Sequence, residues 1–457
     1  MTVKLTFCGA AGCVTGSRYL LQSNNQNILV DCGIFQGADA ASGRNLDLLP
    51  IESDQLDAVL VTHAHIDHVG LLPRLFVDGL PCEIWGTFGT QGLMEVLLGN
   101  SIGLQLRDGS LRIPRLDPDT PRDVVCRTLL SRLMHHYEPA HFGVRTEVAK
   151  GIYATWNPVG HLLGAASIFL EIGGTTITFS GDVGRYGIPL HPDPVSVPLG
   201  ETLIIESTYG AAVHPQEELG AQLSAVLTEI HRRGGVTVIP CFAAGKTQLL
   251  MRLLRDLERA KRIPEMPVFV DSPLALKATD AYLEHAKDCR EEIGRELAAG
   301  DDPFQTSLRH LVQDSQDVRW IDDLREPMVI ISASGFMEGG RILRHMRRRL
   351  SAPENSVLLL GYQPEDGKGD QLRKGVARLD LPGGGVEVRA QTVEMAGFSG
   401  HADKNELLRW CGNNVQVTKR AFVVHGEPAS SVAFASTLRE KFGWRVEVPR
   451  YLQSVEL

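Results

Sequence analysis

LVTHAHIDHVG, residues 60 to 70, sets three histidines and an aspartate within six positions directly behind an apolar run. On a helix His63 and His65 would point nearly opposite ways, so the cluster does not fit one helical face. On a turn after a strand, alternate residues converge. Imidazole nitrogens and a carboxylate oxygen are a ligand set that suits zinc, and Asp67 and His68 would then be left for a second metal. Standing alone, a His-x-His pair is roughly as often two surface histidines as a metal site. The reading therefore depends on the rest of the chain.

Three other apolar runs end in groups of matching chemistry: His161 in NPVGHLLGAAS, Asp182 in TFSGDVG and His425 in FVVHGEP. The short β-branched runs VKLTFCG, NILVDCG, LDAVLVTHAH, GIYATWNPVGH, TITFSGDVG and TLIIESTYG read as strands, with polar residues at the joints. Each of the three residues would then sit at a strand end, where loops from several strands meet. Any one of them alone is more often a capping or hydrogen-bonded residue. Four such sites make coincidence a poor account.

From about residue 215 the pattern changes to helices alternating with strands, QEELGAQLSAVLTEIHRRG, GVTVIPCF, GKTQLLMRLLRDLERAKR and PVFVDSP. This is the rhythm of an open parallel sheet. The first style returns in VEVRAQTVEMAGF and KRAFVVHGE with the helix ADKNELLRWCGN between them, which marks the middle segment as an insertion.

At 457 residues the chain has room for more than one core. Apolar residues make up 43% and no apolar run approaches the roughly 20 residues of a membrane span, so a membrane protein is excluded. The start, MTVKLTFCGAAGC, reads as a strand and not as a secretory signal, and the cytoplasm is the expected location. Eight cysteines without a CxxC pair, with Cys8, Cys32 and Cys241 in or beside strand-like runs, point to buried free thiols. A net charge of -9 argues against a protein that coats nucleic acid over its whole surface but leaves room for a local basic groove. GKT at 245 to 247 suggests a phosphate loop, yet that motif needs glycine where Pro240 stands. An ATPase is disfavoured.

Taken together, HxHxDH, Asp31 in NILVDCG, the later His161 and Asp182 resemble the signature of the metallo-β-lactamase superfamily. Glu206 in IIESTYG, His401 in GFSGHAD and His425 in VVHGEP resemble the three further motifs of its β-CASP nuclease branch, as do the insert, DSPLA and SASGFMEGGR. The resemblance covers essentially the whole chain, and its nearest type is the CPSF-like endoribonuclease. It implies an α/β fold, an αββα sandwich in residues 1–205 and 395–457 with an inserted α/β β-CASP domain in 206–394, its parallel sheet flanked by helices. It also implies two Zn2+ per chain. His63, His65 and His161 would hold one, Asp67, His68 and His425 the other, and Asp182 would bridge both. Asp31 would stand behind them, orienting a ligand imidazole.

The expected reaction is hydrolysis of single-stranded RNA. Two zinc ions about 4 Å apart lower the pKa of a shared water and clamp charge building on a phosphate. The residues expected to carry it are Asp31, Asp67, Glu206 and His401, with His401 giving a proton to the leaving 3′-oxygen and Glu206 as its partner. Phosphate contacts are expected from loops with free backbone N–H groups: Lys246 and Thr247 in one, Ser332, Ser334, Gly335, Met337, Gly340 and Arg341 in another. Arg347, Arg348 and Arg349 read as a solvated face, and His135, His136 and His141 as surface residues of a polar linker. Lys246 stands where the family commonly has arginine, and GKGDQL interrupts a loop usually continued by a small residue, Gly and Arg. No domain is expected after Leu457, which favours the endonuclease type over a ribonuclease J-type exonuclease. RNA is the expected partner, with a homodimer left open. The rival readings are a lactamase-fold hydrolase of another ester or phosphodiester and a non-catalytic RNA-binding or scaffold member.

Overall fold

The computed structural model describes residues 2–457 apart from 38, 39, 41, 42, 48, 115, 118, 216, 217, 314, 396 and 413–416, and apart from the side chains of 315–318. It divides into two compact units, Met1–Val213 with His401–Leu457, and His214–Gly400. The divisions fall after Val213 and before His401 and not at positions 205 and 395, and bridges Gly184 to His401 and Tyr209 to Asp403 lie within the first unit.

The first unit holds two seven-stranded mixed sheets. One runs in the order Ser454–Glu456, Lys4–Phe7, Tyr19–Ser23, Gln26–Val30, Ala58–Leu60, Ile84–Thr87, Tyr137–Ala140. The other runs Arg445–Glu447, Arg420–Val424, Thr202–Glu206, Thr175–Phe179, Ala166–Ile172, Ile152–Pro158, Thr146–Ala149. Phe7, Leu21, Val30 and Leu60 from the first sheet and Trp156, Ile168, Phe179 and Phe422 from the second form one apolar core. The expected sandwich is thereby borne out. Strand Thr202–Glu206 is buried at all five positions, as befits a parallel inner strand covered on both faces. Helix Phe88–Asp108 starts where the Thr87 hydroxyl accepts from the Thr90 N–H at 3.2 Å and stops at the left-handed Gly109.

The second unit is built on a sheet ordered Arg309–Leu311, Val268–Asp271, Met328–Ser332, Val236–Pro240, Ser356–Leu360, Gln391–Met395, with all neighbours parallel. Val238, Ile330, Met346 and Leu359 lie in its core. Two sequence expectations need correction. VEVRAQTVEMAGF does not rejoin the sandwich: Gln391–Met395 pairs with Ser356–Leu360 as an edge of the inserted sheet, and Gly384–Glu387 forms a hairpin with Arg378–Leu381. Alternation alone cannot tell which sheet a strand joins. Nor do His135 and His136 lie in a polar linker, since His135 ends the helix Arg122–His135 and His136 caps it.

The eight cysteines are free, and Cys8, Cys32 and Cys241 are buried. Among the described residues no helix is long and apolar enough to cross a membrane.

Candidate metal centre

Strands of both sheets in the first unit deliver the expected ligands from their C-terminal ends. Asp31 follows Gln26–Val30, Thr62 and His63 follow Ala58–Leu60, His161 follows Ile152–Pro158, Asp182 follows Thr175–Phe179, and His425 follows Arg420–Val424. Parallel register places Phe179 beside Ile204 and Glu206 beside Val424, so these ends are level. The HAHIDH run turns sharply: His65 caps the single helical turn Ile66–Val69, which carries Asp67 and His68. That turn packs against Gly33, where a Cβ would lie 1.6 Å from the Asp67 carbonyl oxygen. Asp31 and His425 both hold positive φ, 57° and 47°, a backbone state disfavoured for residues with side chains.

The side chains gather in two groups. In one, His65 Nδ1 lies 3.1 Å from both His63 Nε2 and His161 Nε2, while Asp182 Oδ2 lies 3.4 and 3.6 Å from the same two nitrogens. In the other, His425 Nε2 lies 3.3 Å from His68 Nε2 and from Asp67 Oδ2, and Asp182 Oδ1 faces His68 Nε2 at 3.4 Å. A tetrahedral zinc with bonds of about 2.0–2.1 Å requires its ligand atoms to stand roughly 3.3 Å apart. The observed spacings meet that requirement. Asp182 Oδ1 is moreover buried without a hydrogen-bond partner among the described atoms, a costly state that a cation would relieve. The residues therefore fit divalent zinc.

Behind these atoms a layer of hydrogen bonds sets which nitrogen faces inward. Asp31 Oδ2 is 2.7 Å from His68 Nδ1 and accepts from the Thr62 hydroxyl at 2.8 Å, while Asp31 Oδ1 accepts from the Thr62 N–H at 2.8 Å. With Nδ1 of His68 committed to Asp31, its Nε2 is left as the ligand atom. Thr62 Oγ1 also meets His63 Nδ1 at 3.1 Å, and Thr208 Oγ1 meets His425 Nδ1 at 3.1 Å.

The electrostatics fit a site made for positive charge. Burial and the surrounding imidazoles hold His63 well below its ordinary value, and burial lowers His65 to about 4. Against burial, the imidazoles of His425, His68, His401 and His63 hold the Asp182 carboxyl far below the usual range.

His401 Nδ1 lies 3.2 Å from Glu206 Oε1, which also accepts from the Val183 N–H at 2.8 Å; Glu206 Oε2 accepts from the Thr208 N–H at 3.1 Å. Burial works to lower the His401 pKa, but the carboxylates of Glu206 and Asp182 outweigh it and raise it to about 9.

Comparison with known proteins agrees with this geometry. Residues 11–77 match the metallo-β-lactamase superfamily, 247–372 the β-CASP domain, and 385–449 the Zn-dependent metallo-hydrolase RNA specificity domain. The chain is 32% identical to Ribonuclease TTHA0252 of Thermus thermophilus over 98% of each protein. It belongs to the β-CASP branch of the metallo-β-lactamase superfamily. This β-CASP chain is a metal-dependent hydrolase. It is also 31% identical to transcription termination factor FttA of Pyrococcus abyssi, over 100% of this chain and 71% of that protein. A solved protein of unknown function from Enterococcus faecalis shares the fold at a TM-score of 0.54 with 12% identity over the whole of both chains.

In the second unit the β-CASP chain treats the expected phosphate contacts unequally. Thr247, Ser332 and Met337 have side-chain-bearing residues only 1, 1 and 0% exposed, because Thr247 donates to the Phe242 carbonyl, Ser332 donates to the Asp271 carbonyl, and Met337 fills the core. Those side chains are turned into the interior of the second unit. Arg341 spends its fork on Asp271 Oδ1 at 2.7 Å and on the carbonyls of Val312 and Gln313. Ser334 Oγ accepts from the Glu338 N–H at 3.2 Å, and Lys246 Nζ donates to the Leu360 carbonyl at 3.0 Å. Gly335 and Gly340 lie in the same loop as Ser334. Arg349 is buried and caps the carbonyls of Ile321 and Leu324, so the arginine run is not simply a solvated face. Lys368–Arg373, within the divergent GKGDQLRKG, is a short helix. Sequence reasoning missed Thr62 and Thr208; their only signal was adjacency to a motif residue.

Proposed function

We propose that the chain is a zinc nuclease holding two Zn2+ and hydrolysing phosphodiester bonds of single-stranded RNA. The observation that carries this reading is Asp182, whose two carboxylate oxygens face two separate groups of ligand atoms. His63, His65 and His161 hold one ion and Asp67, His68 and His425 the other, with Asp182 shared. When bound, zinc supplies the Lewis acidity that lowers the pKa of a water and offsets charge growing on a phosphate. Asp31 keeps His68 in the tautomer that presents Nε2. His401 donates from Nδ1 to Glu206, which leaves its Nε2 to hand a proton to the departing 3′-oxygen. A scaffold role is disfavoured because no expected ligand position is replaced by a residue without a ligand atom. RNA as substrate is supported by the RNA specificity domain match and by the ribonuclease relative. Eight free cysteines support a reducing, cytoplasmic setting.

The test is zinc content measured together with product mapping on end-labelled RNA. About two zinc ions per chain and chelator-sensitive cleavage are expected; undiminished cleavage by zinc-free protein refutes the mechanism.

A further inference from the structure

The second unit carries an aromatic corner that the metal chemistry does not use. In its parallel sheet the chain leaves Val236–Pro240 towards Val268–Asp271 on one side, and leaves Ser356–Leu360 towards Gln391–Met395 on the other. These two strands are neighbours. The loops therefore part between them, and such a point at the carboxyl end of an open parallel sheet is where ligands bind. The loops that follow carry one aromatic residue each. Phe242 comes after the first strand, Tyr362 after the second, and Phe336 after the adjoining Met328–Ser332.

Phe242 and Phe336 meet edge to face, with centroids 4.9 Å apart and planes at 88°. Phe336 and Tyr362 do the same at 6.4 Å and 84°. Two rings at right angles form a corner in which a planar group lies on one face with its edge against the other. Tyr362 is 54% exposed, whereas Phe242 and Phe336 are half-buried. The corner has a firm floor. Gly335 lets the Phe242 ring approach to 3.0 Å of where a Cβ would stand, and Gln363 donates to the Gly335 carbonyl at 3.4 Å. Glu365 and Asp366 are exposed just beyond Tyr362, with Asp366 paired to Lys374 at 3.4 Å, and Lys246 Nζ stands 5.0 Å from the Phe242 ring centroid, so the corner offers π faces with charges of both signs at its rim.

We propose that Phe336 and Tyr362 form a stacking subsite for a nucleobase of single-stranded RNA. The inference rests on the RNA reading above and deepens it by naming what part of the RNA the second unit grips. Stacking on a ring tolerates any base and changes affinity per base by roughly five- to 150-fold.

The full-length zinc protein is assayed on two end-labelled oligoribonucleotides of one length, one normal and one with abasic residues. Tyr362→Ala and Phe336→Ala are each expected to raise KM for the normal oligomer about tenfold with kcat kept, and to leave KM for the abasic oligomer unchanged. Tyr362→Trp should keep the normal KM, and Tyr362→Leu should not. Equal loss on both oligomers, or no loss on either, overturns the subsite. If the unmodified chain cleaves neither oligomer, the RNA reading itself falls and the subsite with it.

Discussion

Replacing Asp31 by asparagine changes one atom's chemistry at almost constant shape, and the structure says which consequence to expect. Asp31 Oδ2 takes protons from His68 Nδ1 and Thr62 Oγ1, while Oδ1 takes the Thr62 N–H. In Asp31→Asn the amide oxygen keeps the backbone N–H, and the amide nitrogen then faces His68 as a donor. His68 Nδ1 must become the acceptor, which moves its proton to Nε2. That nitrogen faces His425 Nε2 at 3.3 Å and Asp182 Oδ1 at 3.4 Å, and once protonated it has no lone pair for a metal. Loss of such an orienting carboxylate weakens metal binding about 10- to 100-fold, or about 1.4–2.8 kcal/mol. On the proposed two-ion site, the effect should fall on the ion that His68 would hold and spare the one that His63, His65 and His161 would hold. Competition with a zinc chelator reads both affinities. The expected titration has one unchanged and one weakened step; two unchanged steps would refute the tautomer argument, and equal weakening of both would refute the division into two groups.

Asp182→Ala should strip zinc from both groups and lower RNA cleavage by about a thousandfold or more, since loss of Lewis acid chemistry removes several kcal/mol of transition-state stabilisation; zinc analysis and single-turnover cleavage check it. His401→Ala is expected to lower kcat by about 10²–10⁴ with zinc content retained, and a variant that loses zinc in parallel would contradict its role as proton donor. Trp156 is fully buried between the sheets and its indole N–H donates to the Val61 carbonyl at 3.0 Å, so Trp156→Ala should cost about 3–5 kcal/mol by denaturant unfolding. Asp301 is held down to about 2 by Arg259 first and also by Arg255. Because its folded value lies below the ordinary value of about 3.9, its contribution is complete above about pH 4 and is lost as pH falls towards 2. Asp301→Asn should flatten the acid limb of a stability-versus-pH curve over that window, and an unchanged limb would count against it.

Of the candidate metal centre, His63, His161, Asp182 and His425 were legible because each follows an apolar run, while His65, Asp67 and His68 were legible from the spacing of the HxHxDH motif. A strand's C-terminal edge needs no long-range information to be recognised, and the motif spacing did the rest. The phosphate-contact residues were less legible. Ser332 and Met337 look alike to Ser334 in a small-residue loop, and Thr247 looks like an open helix start, yet the side chains of Ser332, Met337 and Thr247 are buried. Arg341 and Arg349 looked like free cations and proved to be occupied by carbonyls and, for Arg341, by Asp271. The share of a guanidinium's donors left for a ligand depends on neighbours remote in sequence, and no local pattern reports that.

Sequence by itself determined the chemical kind of the centre, since imidazole and carboxylate at strand ends admit few uses besides holding a cation. It also determined the alternation of strands and helices that separates the sandwich from the insert. Tertiary structure alone decided which nitrogen of His68 and of His425 turns inward, because Asp31 and Thr208 reach those rings only across folded strands. It alone paired Gln391–Met395 with Ser356–Leu360 and assembled Phe242, Phe336 and Tyr362 into one corner. Local side-chain pattern records which face of a strand is buried; the partner on the other side is chosen only when sheets close and cores fill.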